Sequence, residues 1–134
     1  MKILNETNTM VKSDLNRIID SYMKERCIDN YKLSKITGLS SAEINRIRYH
    51  KTTDYPIVSD HLIAMCIALR IDFDNVLALL YSINISFSPN NLRDCLIQTM
   101  LSKAAEDDTI TVTSCNRFFL SEGLMPLTFS KLTA

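Results

Sequence analysis

Apolar residues in the first 80 positions recur every three or four residues, the spacing that lays a stripe along one side of a helix. Leu15, Ile18, Ile19, Tyr22 and Met23 predict a helix over about 12–27, with Ser13 or Asp14 at its start. Its charges, among them Arg17, Asp20, Lys24, Glu25 and Arg26, fall mostly on the other face. Leu33 and Ile36 predict a second helix running to Thr37, with Asp29 placed to cap it. Leu39, Ile44 and Ile47 define the inward side of a third, over 40–49. Leu62, Ile63, Cys66, Ile67 and Leu69 predict a fourth from about Ser59, and Val76, Leu77, Leu79 and Leu80 a fifth from near Phe73.

The pattern changes after Tyr81. Residues 82–88 alternate between polar and apolar, as a linker or a short strand would. Ser88 and Pro89 read as an N-cap followed by proline at the first helical position. Leu92, Cys95, Leu96, Thr99 and Met100 then predict an amphipathic helix. It should end near Ala105, before Glu106, Asp107 and Asp108, whose charge is unfavourable at a helix C-terminus. Thr109, Ile110, Thr111, Val112 and Thr113 alternate and are β-branched throughout, which predicts a strand; a further strand or turn is expected within 118–129. The expected fold is mainly α: a five-helix domain over 1–81 with a small α+β extension over 82–134.

Between the second and third helices stands Gly38, one of two glycines in the chain, where a left-handed residue ends a helix at little steric cost. Ser40 and Glu43 are spaced as a capping box, with Glu43 expected to reach back to the cap. If Ile44 and Ile47 point inward, Ser41, Ala42, Asn45, Arg46 and Tyr49 must share the outward face. Two short helices joined rigidly, the second carrying polar side chains outward, form a helix-turn-helix suited to the DNA major groove.

Composition narrows the alternatives. A hydrophobic share of 46% and a charged share of 22% are those of a globular chain, and two glycines leave no room for a glycine-rich phosphate loop. The 18 uncharged residues between Asp74 and Arg93 are interrupted by asparagine, serine and proline, so no membrane span is expected, nor is a signal sequence at the N-terminus. Cys27, Cys66, Cys95 and Cys115 form no Cys-x-x-Cys pair, and neither His50 nor His61 lies at ligand spacing from them. No metal, cofactor or disulfide is therefore expected, core roles suit Cys66 and Cys95, and the location is expected to be cytoplasmic. No Ser/His/Asp or Cys/His arrangement appears, so no enzyme is expected. Net charge is zero overall, yet residues 32–51 carry five cations against Glu43 alone, an excess of four on the proposed reading unit.

Residues 12–80 resemble the five-helix DNA-binding domain of the phage-repressor and Cro family. Ile28, Asp29 and Asn30 are similar to that family's entry into its second helix; Leu33, Gly38, Leu39, Ile44 and Ile47 match its fixed apolar and glycine positions. Leu62 to Leu69 and Ile71 to Leu77 are similar to its fourth and fifth helices. Ser34 stands where alanine is usual and Thr37 where an aliphatic is usual. Tyr49 and His50 replace the common glycine after the third helix, a change that bears on the loop carrying Lys51 and Thr52. The resemblance implies double-stranded DNA as partner. Ser41, Ala42, Asn45, Arg46 and Tyr49 would then meet bases, and Asn30, Lys32, Lys35, Ser40, Arg48, Lys51 and Thr52 would meet phosphates. Simpler roles compete: Arg46 paired with Glu43 or Asp54, Asn45 merely solvent-facing, Tyr49 packed under the loop.

Such domains usually pair on DNA, so a homodimer is expected, with Leu92, Cys95, Leu96, Met100, Ile110 and Val112 as candidate interface residues. Alternatively the extension packs back on the first domain. The leading expectation is a repressor of a phage, mobile-element or bacterial promoter. A second is an inhibitor whose residues 82–134 bind a host protein, since the layout, and weakly Leu124 to Phe129, resemble certain anti-CRISPR proteins. An antitoxin is a third.

Overall fold

In the computed structural model, residues 15–50 and 56–129 are described, and all their regular structure is helical. Helix α1 covers residues 15–25 of that span. There follow α2 (Asn30–Thr37), α3 (Ser41–Arg48), α4 (Ser59–Leu69), α5 (Phe73–Ser82), α6 (Leu92–Ala104) and α7 (Val112–Ser121). Seven helices among the described residues, with no strand, replace the expected five-helix domain and α+β extension.

The core forms around α4. Leu62, Ile63, Ala64, Met65, Cys66, Ile67 and Leu69 are all buried, so this helix is apolar on every side and must be jacketed completely. α2, α5, α6 and α7 all pack against it. Leu15, Ile19 and Met23 of α1 join the same cluster, as do Ile97, Leu101 and Ala104 of α6 and Val112, Cys115 and Phe119 of α7. The C-terminal third therefore shares its core with the first five helices.

Two arginines fasten that third at opposite ends of α4. At the C-terminal end, Arg70 adopts a left-handed conformation (φ 53°). From there its Nη1 donates to the Ala104 and Asp107 carbonyls, at 2.6 and 3.0 Å, closing the end of α6. Near the other end, Arg93 makes a two-pronged pair with Asp60, both bonds 3.0 Å. It also donates to the Met125 and Pro126 carbonyls. Bidentate guanidinium–carboxylate geometry fixes orientation as well as distance.

The expected strand at 109–113 is instead a helix start. Thr111 is the N-cap of α7, its hydroxyl accepting from Ser114 N while Ser114 Oγ accepts from Thr111 N. Val112, Cys115, Asn116 and Phe119 then bury one helical side. β-branched residues favour strands only where a pleated neighbour exists, and capping wins here. Residues 124–129 run without strand pairing, with Leu127 and Thr128 buried. α6 begins after Asn91, which caps it through Asp94 N at 2.9 Å, so Ser88 and Pro89 precede the helix instead of opening it.

The four cysteines are free. Cys66 and Cys115 are the buried pair; Cys95 is only half-buried, with its thiol near the Pro89 carbonyl, and Cys27 is exposed. Burial pushes the Cys66 thiol up to about 12 and Cys115 up to about 11.

Asn116 is the polar centre of the extension. Its Oδ1 accepts from Leu127 N at 2.7 Å, and its Nδ2 donates to Thr128 Oγ1 at 3.1 Å. The Thr128 hydroxyl in turn donates a hydrogen bond to the Thr37 carbonyl at 2.6 Å, tying the tail to α2. Replacing Asn116 by alanine strands a buried N–H, which should cost about 1–3 kcal/mol of unfolding free energy in urea titration. A loss below a few tenths would show that the tail is not held this way.

Candidate nucleic-acid interface

α2 ends as expected at Gly38, whose φ of 82° lets its N–H return to the Ser34 carbonyl at 2.9 Å. The following residue, Leu39, is bound on both sides by α2. Its N–H donates to Thr37 Oγ1 at 3.1 Å, and its carbonyl accepts from Ser34 Oγ at 2.5 Å. Ser34 and Thr37, two of the departures from the resembled pattern, are thus the side chains that pin the turn. Asp29 caps α2 through Lys32 N at 2.8 Å.

Ser40 then caps α3, its hydroxyl accepting from Glu43 N at 3.1 Å. The reciprocal half of the capping box is absent, because the Glu43 carboxylate is drawn elsewhere. It accepts from Arg46 Nε at 2.9 Å and lies 2.8 Å from His61 Nδ1, at the start of α4. Ile44 and Ile47 have no solvent exposure, which fixes the rotation of α3 about its axis. Ser41, Ala42, Asn45, Arg46 and Tyr49 are exposed together on the opposite side. Tyr49 lies outside the core, with the Arg48 guanidinium 5.0 Å from its ring centroid.

Behind this face runs a line of polar contacts. Arg48 Nε and Nη2 donate to Asp20 Oδ1 of α1 at 3.0 and 2.7 Å, and Nη1 donates to Asn30 Oδ1 at 2.7 Å. Asn30 Nδ2 in turn donates to Asn45 Oδ1 at 2.6 Å. Asn16 Nδ2 donates to the Arg48 carbonyl, holding the end of α3 to α1. An open cleft of about 450 Å³ adjoins the line, bordered by Asp20, Met23, Cys27, Asn30 and Arg48 among others.

A protruding, well-anchored helix carries an asparagine and an arginine outward, the two side-chain types that bond adenine and guanine edges in bidentate fashion. Residues 4–79 match the family model of the Cro/C1-type HTH DNA-binding domain. The chain belongs to that family. No curated protein and no solved structure gives a significant match. Among the described residues no helix is long and apolar enough to cross a membrane.

Within this Cro/C1-type domain the sequence-predicted contacts are unevenly disposed. Lys32, Lys35 and Ser40 are exposed, with Lys35 over the Tyr31 ring at 5.2 Å. Asn30 and Arg48 are partly buried and already bonded to each other. Lys51 and Thr52 lie outside the described residues, as does Asp54. Of the candidate interface residues, Val112 is buried inside the monomer, while Leu96, Met100 and Ile110 pack partly against the core. Cys95 is half-buried and Leu92 is 66% exposed. Asp20 escaped the sequence reading: it lies 28 residues from its partner, and no local spacing links them.

Burial of Glu43 by itself raises its pKa, but hydrogen bonds and charge from Arg46 and His61 outweigh this and hold it below 4.5. A depressed carboxylate stabilises the fold above its unfolded value and loses that contribution as pH falls through the folded one. Stability measured by denaturant titration should therefore decline less steeply below pH 4.5 in Glu43→Gln than in the wild type. Equal slopes would mean that the two partners do not hold the carboxylate in solution.

Proposed function

We propose that this Cro/C1-type protein is a repressor that occupies a promoter as a dimer, with α3 of each protomer in the major groove. One observation carries the reading: Ile44 and Ile47 are wholly buried while Asn45 and Arg46 stand exposed between and beside them. The aliphatic side locks the helix, and the polar side is left for base edges. Arg46 would exchange Glu43 for guanine, and Asn45 would meet adenine, each contact contributing about 1–3 kcal/mol of discrimination. Lys32 and Lys35, together with Lys51 and Thr52, are the phosphate candidates, and their charge would be felt as salt-dependent affinity.

A single unit of this size covers few base pairs, so paired half-sites are the natural target. Exposed Leu92 at the start of α6 is the interface candidate least occupied within the monomer. Repression follows from occupancy alone and asks for no second activity.

Selection of bound duplexes from a random pool tests the reading. An inverted repeat is expected, with half-site centres about 34–36 Å apart or a multiple of that. If four phosphates are neutralised per protomer, log affinity should fall against log salt with a slope near about −3.6 per protomer. In gel-shift titrations Arg46→Ala should abolish preference for the selected duplex. Retained preference would remove α3 from the groove.

A further inference from the structure

The line of contacts from α1 to the outward face has a direction that chemistry alone dictates. A guanidinium offers only donors, so Asn30 must present its carbonyl oxygen to Arg48. The Asn30 amide nitrogen is then turned the other way, and Asn45 must answer it with oxygen. Rotating either amide by half a turn would set donor against donor. The Asp20 carboxylate accepts two Arg48 donors and fixes where the sequence starts.

We propose that Asp20 and Arg48 are positioning residues for base recognition, setting through Asn30 which way the exposed Asn45 amide faces. The inference rests on the groove-reading role of α3 proposed above. With one oxygen lone pair held by Asn30, Asn45 keeps its N–H donors and its second lone pair for a ligand. One donor beside one acceptor is the pattern that adenine matches with N7 and its N6 amino group. An unheld amide can rotate to suit other bases, so the held one discriminates by being oriented before binding. Asp20 touches no base in this scheme; it acts through three intervening groups.

The Asp20 side chain is 41% exposed, so removing it is expected to cost little stability. It also subtracts a negative charge from beside the DNA-facing surface, which should not weaken attraction to phosphate. Loss of orientation and loss of fold therefore have opposite signatures. The experiment uses the full-length protein and the duplex selected from the random pool, with all four base pairs placed in turn at the position whose preference Asn45→Ala removes. In Asp20→Ala the preference for adenine there should fall about ten-fold, while affinity for unrelated duplex is undiminished and the other positions keep their preferences. Arg48→Lys keeps the charge but cannot offer three donors in a fork, and should lose the same preference.

Wild-type preference at that position in both variants would overturn the inference, as would an equal loss of affinity for all four duplexes. If Asn45→Ala alters no position in a protein that does bind DNA, the reading by α3 falls too. That result differs from one in which Asn45 matters but Asp20 and Arg48 do not.

Discussion

A helix that is apolar on all sides cannot be left half covered, and α4 imposes that constraint on everything around it. Its seven buried residues point in every direction, toward α2, α5, α6 and α7. Each fully buried aliphatic side chain contributes about 1.5–3 kcal/mol, so an uncovered flank would be a large loss for a chain of this size. The C-terminal third supplies the missing flank. The binding unit and the extension are therefore held by one core, and the rigidity of α3 depends on residues far along the chain.

Polar fastening follows the same geometry. Arg70 holds the end of α6 from one end of α4, Arg93 holds Asp60 and the tail from the other, and Thr128 reaches the last carbonyl of α2. That carbonyl belongs to Thr37, whose hydroxyl also binds the turn before α3. Thr128 thus fastens the extension to the joint that sets the angle between α2 and α3. Buried groups of this kind are worth little when all are satisfied and costly when one is removed, which favours a single arrangement of that joint.

The first five helices were legible in the sequence because their signals are local: Asp29 and Ser40 as caps, Gly38 as the left-handed stop, Ile44 and Ile47 as the inward side of α3. The expectation failed where two local signals competed. Residues 109–113 have a strand's composition, but Thr111 and Ser114 cap each other, and Val112, Cys115, Asn116 and Phe119 have helical spacing. Among the described residues no strand lies beside it to make use of the alternation. In α6 the inward side is Ile97, Leu101 and Ala104, which bury against the rest of the core and leave Leu92 exposed and Cys95 half-buried. The outward set on α3 was readable from its inward set. Its partners were not, since Asp20, Asn30 and His61 come from elsewhere in the chain and only folding brings them together.

Those partners bear on how a protein with no net charge can favour DNA. Both α3 arginines face a carboxylate: Arg46 sits against Glu43 and Arg48 against Asp20. Indiscriminate attraction to phosphate is reduced, because a bound duplex must compete with anions already in place. If α3 reads bases as proposed, a correct base edge would offer Arg46 a directed pair of acceptors in exchange, whereas a wrong one would leave the exchange unfavourable. Complementary charge within the unbound surface would thus shift the balance from affinity for any duplex toward choice among duplexes. In that reading the carboxylates would set the threshold, and the shape of α3 would determine which sequence crosses it.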